Sequence, residues 1–190
     1  MTRFQDQSAD EEIVRRVQSG EIELFDILFE RYEKKISRYA KKFLFNYDDS
    51  EDLVQQVFIK AYMNIKSFDA SRKFSSWIYR IAHNEFINAI KKKNKEPLSF
   101  FDFDILFPYA MSNDNTDKET QEKELRFILD KNLKKLHSKY REPLILYYFE
   151  ELSYKEIADV LHIPVSTVGV RIKRGKELIK KTFQKNNYQI

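Results

Sequence analysis

Side chains able to do chemistry form three groups along this 190-residue chain. One is a run of carboxylates, Asp48, Asp49, Glu51 and Asp52; another is three histidines, His83, His137 and His162. The third is a C-terminal set of hydroxyls and cations, Ser166, Thr167, Arg171, Lys173 and Arg174. The first two groups do not make a catalytic centre. Carboxylates at the start of a helix are accounted for by capping and the helix dipole, and the histidines lack the mutual spacing of metal ligands. There is no cysteine, which excludes disulfides, thiolate zinc sites, cysteine nucleophiles and direct thiol redox sensing. No catalytic residue, metal or cofactor is expected. The third group has another chemistry, because cations neutralise phosphate while short hydroxyl and apolar side chains reach base edges.

The elements that must position this third group are legible in "LSYKEIADVLHIPVSTVGVRIKRGKELI". Ser153 with Glu156 forms a capping box that opens a short helix with Ile157, Ala158, Val160 and Leu161 as its apolar positions. His162 to Pro164 break it. A second helix from about Val165 turns Val168, Ile172, Gly175 and Ile179 inward and leaves Ser166, Thr167, Val170, Lys173 and Arg174 outside, with Arg171 at the edge. A capped helix, a tight break, and a second helix with a basic outer face make a helix-turn-helix pattern.

Upstream, "SFDASRKFSSWIYRIAHN" interleaves cations, rings and amides. Arg72, Lys73 and Arg80 supply charge, Ser71 a hydroxyl, Asn84 and Asn88 amides, and Phe68, Phe74, Trp77 and Tyr79 rings. Where unpaired nucleic acid meets exposed rings, stacking contributes roughly 1–3 kcal/mol per base. Core packing is the competing expectation for the rings, Trp77 included. The preceding helix, "EDLVQQVFIKAYMNIKSF", has a core stripe of Leu53, Val54, Val57, Phe58, Ala61, Tyr62 and Ile65. A second, mixed stripe of Asp52, Gln55, Gln56, Ile59 and Met63 suits a protein partner.

Three glycines and four prolines are too few for the turns of an all-β fold, and helical periodicity dominates. An all-α chain of two small helical domains is predicted. Further helices are expected after a Ser8–Glu11 box, ending at Gly20, from about Glu21 with Leu24, Leu28, Tyr32 and Ile36 inward, and after an Asp48–Glu51 box. Another should carry Leu125, Ile128, Leu129, Leu133 and Leu136, followed by one with Pro143 in an early turn. Between the halves lies an acidic, aromatic-led flexible linker. The net charge of +4 and pI near 9.0 are compatible with nucleic acid. A polar, acidic N-terminus and no bilayer-length apolar run predict a soluble, cytoplasmic protein with no direct membrane insertion.

Three ordered blocks, "DDSEDLVQQVFIKAY", "SFDASRKFSSWIYRIAHN" and "YREPLILYYFEELSYKEIADVLHIPVSTVGVRIKRGKE", resemble the extracytoplasmic-function (ECF) group of bacterial sigma factors in the sigma-70 class. The resemblance implies a region 2 domain over 1–95, a linker over 96–120 and a region 4 domain over 121–190. It also implies that Asp52, Gln55, Gln56 and Ile59 dock on the clamp of core RNA polymerase. Phe68, Ser71, Arg72, Lys73, Phe74, Trp77, Arg80, Asn84 and Asn88 would recognise and open the minus-ten promoter DNA. Ser166, Thr167, Val170, Arg171, Lys173 and Arg174 would read the minus-thirty-five element. The family is usually held inactive by an anti-sigma factor. Gly169 departs from the family, whose members commonly carry a basic residue there. A stand-alone helix-turn-helix regulator is the alternative, but it leaves the second block and the mixed stripe without a purpose.

Overall fold

The computed structural model describes residues 8–44, 50–94, 129–130 and 132–185. The linker over 96–120, Asp48 with its expected capping box, and Leu125 and Ile128 lie outside them. Among the described residues the regular structure is helical: α1 (Asp10–Ser19), α2 (Phe25–Leu44), α3 (Ser50–Asn64), α4 (Phe74–Asn94), α5 (Ser138–Tyr148), α6 (Tyr154–Leu161) and α7 (Val165–Lys185), with three short 3-10 turns.

The periodic stripes become the core. Ile13, Val14 and Val17 of α1, Leu28, Tyr32 and Ile36 of α2, and Ile78 and Ala82 of α4 are all buried in one cluster. Gly20 ends α1 in the left-handed region at φ 120°, and the amides that follow α1 bond back to Val17 and Arg16 carbonyls. This is a helix stop that glycine makes without steric cost. In the C-terminal half, Leu144, Ile145, Ile157, Val160, Val168, Ile172 and Ile179 are buried as well. Pro143 sits inside α5.

Two expectations change. Tyr62 is 45% exposed rather than part of the α3 core stripe, because its ring lies edge-on against Phe25 at the rim, centroids 5.2 Å apart. The Ser8–Glu11 box is not formed: Ala9 is the N-cap residue of α1 and no side chain caps it. Glu11 is used elsewhere, accepting from the Phe74 amide at 3.0 Å.

The two halves are packed together, α2 against α5 and α4 against α6, and their buried side chains form one continuous cluster. Polar groups cross the junction as well. The Tyr39 hydroxyl donates to Glu142, and His83 Nδ1 lies 2.6 Å from the same carboxylate. The Tyr79 hydroxyl donates to Glu150 at 2.6 Å, and Arg38 donates to both oxygens of Glu150 at 2.8 Å. Burial, then the charge of the facing carboxylate, push both tyrosine hydroxyls far above their ordinary range. The hydrogen bond to Glu150 raises Arg38 further.

Candidate nucleic-acid interface

The segment rich in rings and cations begins where α3 ends. Gln18 on α1 donates 2.8 Å bonds to the Ile65 and Phe68 carbonyls, and Arg15 reaches the Ala70 carbonyl at 3.2 Å. Within the loop, Asp69 accepts from the Ser71 amide at 3.0 Å and the Ser71 hydroxyl at 2.7 Å. Those bonds hold the Asp69 carboxyl below its usual range. Glu11 then receives the Phe74 amide, one of the donors that a helix start leaves without an intrahelical partner. Helix α1 thus straps the loop through three side chains, Glu11, Arg15 and Gln18. None was marked in the sequence as a site residue, because bonds to a loop some fifty residues away have no local pattern.

So held, the loop exposes Ser71, Arg72 and Lys73, and α4 exposes Asn84 and Asn88 one turn apart, with Arg80 half-buried on the same stripe. The rings divide. Phe68, Phe74 and Tyr79 are buried; Phe74 lies against Tyr32 at 5.3 Å and against Trp77 at 5.6 Å. Trp77 is half-buried, its ring 4.8 Å from that of Phe68. The phenylalanines therefore back the indole, and Trp77 is the ring nearest to being available. A cleft runs along this surface, with Arg72, Lys73, Trp77 and Arg80 on one side and Ser153, Glu156 and Asp159 of the C-terminal half on the other.

The mixed stripe of α3 is exposed as expected: Asp52, Gln55, Gln56, Ile59 and Met63 all face outward, Met63 by 74% and Ile59 by 49%. Tyr62 and Phe29 extend it into an apolar patch, Phe29 resting on Phe58 with centroids 4.7 Å apart. Sequence periodicity missed these two rings, since each follows a core residue directly and only packing decided which way it leaned.

The C-terminal constellation forms as read. Ser153 and Glu156 make the reciprocal capping box of α6. His162 takes the left-handed conformation at φ 53°, and the Ile163 amide returns to the Ala158 carbonyl at 3.2 Å. Val168 and Ile172 anchor α7 inside. Outside, Ser166 and Val170 are exposed, while Thr167, Arg171, Lys173 and Arg174 are half-buried. Gly169 is not simply on the outer face: it is half-buried, and a methyl there would meet the Tyr154 ring at 3.5 Å.

A basic helix-turn-helix and a strapped loop with cations, amides and an indole are thus found together on one chain. Residues 28–96 match the sequence profile of Sigma-70 region 2, and residues 126–179 match that of Sigma-70, region 4. The chain is 35% identical over 179 residues to the ECF RNA polymerase sigma factor SigW of Bacillus subtilis (strain 168), covering 90% of this chain and 95% of the relative.

The chain belongs to the ECF sigma factors of the sigma-70 family.

The fold is similar to that of CnrH in its complex with the cytosolic domain of CnrY, at TM-score 0.69 and 23% identity, covering 95% of this chain and 100% of that one. It is also similar to the sigma factor RpoE in complex with the anti-sigma factor NepR from Bartonella quintana, at TM-score 0.63 and 22% identity, covering 84% and 96%. As a sigma factor the protein directs core polymerase to specific promoters and helps open them during transcription initiation. Its family consists of initiation factors rather than enzymes. Among the described residues no helix is long and apolar enough to cross a membrane.

Proposed function

We propose the following division of labour for this sigma factor. Residues 1–95 act as region 2, 96–120 as the connector and 121–190 as region 4. The exposed stripe Asp52, Gln55, Gln56 and Ile59, with Met63 and the flanking rings, docks on the polymerase clamp. Ser71, Arg72, Lys73 and Arg80 hold the backbone of the opened minus-ten strand, Trp77 and the amides of Asn84 and Asn88 face its unpaired base, and Phe68 and Phe74 act from the core by backing the indole. Ser166, Thr167, Val170, Arg171, Lys173 and Arg174 read the minus-thirty-five element in the major groove.

The observation that carries this reading is the strapped loop. Three α1 side chains and an internal Asp69–Ser71 turn hold a loop that shows solvent mainly hydroxyls and cations. A free-standing repressor has no need of such a device. Work beside core polymerase places the protein in the cytoplasm, and an anti-sigma partner is in keeping with the RpoE–NepR complex of the same fold.

Run-off transcription with purified core polymerase and a panel of ECF-type promoters tests the assignment. Wild-type protein should give promoter-directed transcripts, and silence on the whole panel would reject it. Arg174→Ala should weaken upstream-element occupancy by about 1–3 kcal/mol, or lower the salt slope by about one if it touches only phosphate. Asn84→Ala should leave that occupancy intact and reduce opening, read by permanganate reactivity of unpaired thymines. Occupancy unchanged in Arg174→Ala across salt concentrations would place the recognition face elsewhere.

A further inference from the structure

Helix α1 carries Glu11, Arg15 and Gln18 at steps of four and three residues, so the three side chains share one face. They meet the minus-ten segment in reverse chain order. Glu11 accepts from the Phe74 amide at 3.0 Å, Arg15 donates to the Ala70 carbonyl at 3.2 Å, and the Gln18 carboxamide donates to the Phe68 and Ile65 carbonyls, both at 2.8 Å. By the rise of a helix, this face is about 10 Å long. It has a firm footing, because Ile13, Val14 and Val17 are buried and Asp10 accepts from Arg31 of α2 at 2.6 Å and from the Tyr32 hydroxyl.

Gln18 occupies the point where two functions meet. A carboxamide nitrogen offers two donors, and here they go to carbonyls on either side of the short turn Ile65–Ser67, directly after α3. The Ile65 carbonyl also receives the Phe68 amide at 3.2 Å, and Phe68 is buried with its ring 4.8 Å from that of Trp77. One side chain thus fixes both the end of the helix proposed to dock on polymerase and the start of the loop proposed to meet DNA.

We propose that Gln18 and Arg15 are positioning residues for promoter opening: acting from α1, they hold the loop over 68–73 in one place relative to α3. Docking of α3 on polymerase then delivers Arg72, Lys73 and Trp77 to the minus-ten strand already in register. The proposal rests on the residue assignments given under the proposed function. Neither side chain touches DNA in this scheme. Their effect falls on the opening step, because a loop that has to be ordered during that step loses its conformational freedom there and slows it. Polymerase docking and upstream-element binding use other surfaces and are left as they are.

The test uses the full-length protein with core polymerase and follows the rate at which minus-ten thymines become permanganate-reactive, as a function of sigma-factor concentration. Gln18→Leu removes both donors at nearly constant size. It should lower the plateau rate by about tenfold, with the half-saturating concentration and upstream-element occupancy as in the wild type. Arg15→Ala, at an exposed position, should lower the plateau by about threefold, and Arg15→Lys, which keeps a donor, should recover most of it. A variant that had only lost folded protein would do the reverse, raising the half-saturating concentration and leaving the plateau unchanged. That pattern in both variants, or a plateau that neither Gln18→Leu nor Arg15→Ala lowers, overturns the positioning role. Asn84→Ala separates this failure from that of the underlying reading. If Asn84→Ala lowers the plateau and the α1 variants do not, the minus-ten assignments stand and the positioning role falls; if none of them lowers it, the assignments fail and the positioning role with them.

Discussion

At Gly175 an added methyl carbon would stand 2.7 Å from Leu144 Cδ1, 3.3 Å from its Cγ and 3.4 Å from the Tyr140 carbonyl oxygen. Leu144 is fully buried and has little room to yield, so α5 and α7 cross where only hydrogen fits. At Gly169 the nearest atom to such a carbon is Tyr154 Cε2 at 3.5 Å, an ordinary contact. Two alanine substitutions in one helix should therefore differ in sign. Removing a helical glycine contributes about 1 kcal/mol in either case, but overpacking at 175 costs about 1–3 kcal/mol. Gly175→Ala should lower the urea midpoint and Gly169→Ala should raise it; shifts in the same direction would refute the packing account. Gly169 was expected on the DNA side, and the Tyr154 ring shows that it also serves the crossing of α6 and α7.

Among the elements, the two capping boxes that fall on described residues had different fates. The Ser153–Glu156 box formed because both partners are local and nothing else competes for Glu156 strongly enough. The Ser8–Glu11 box did not, because Glu11 reaches the amide of Phe74 on another helix. A capping motif states that a carboxylate is available; it does not say which helix end will take it. Glu11→Ala should cost about 1 kcal/mol, in the range for loss of a cap. Hydrogen exchange at the Phe74 amide should accelerate, while exchange in α7 should not. Glu11→Gln keeps an acceptor oxygen and should lose less. Equal protection of the Phe74 amide in all three proteins would show that the cap is not needed to hold the loop.

For the whole molecule, the junction between halves makes stability depend on pH through His83. Burial by itself pulls this imidazole down, but the charge of Glu142 and its hydrogen bond outweigh burial, and the net shift is upward from 6.5. Lys91 on the same helix opposes it, and the Tyr39 hydroxyl shares the carboxylate. A raised histidine pKa means that the folded protein holds the proton more tightly than the unfolded chain does. The contribution is complete below pH 6.5 and is lost as pH climbs through the raised value. The urea midpoint should therefore fall over the pH range just above 6.5, and His83→Asn should flatten that dependence. A wild-type midpoint that rises over this range, or one whose slope His83→Asn leaves intact, would contradict the assignment.

Helix formation, the stripes that face inward, the helix-turn-helix with its cap and break, and the family itself were legible in the amino-acid sequence. Each is encoded by residues within a few turns of one another, where the 3.6-residue period reports burial directly. The tertiary structure alone decided that Phe68 and Phe74 back Trp77, that α1 straps the loop, and that Tyr62 stays at the rim. It also decided that two glutamates join the halves: Tyr39 and Glu142 are 103 positions apart, Tyr79 and Glu150 are 71. Apolar burial leaves a periodic trace in the chain, whereas a buried carboxylate is recognised only by the distant groups that satisfy it.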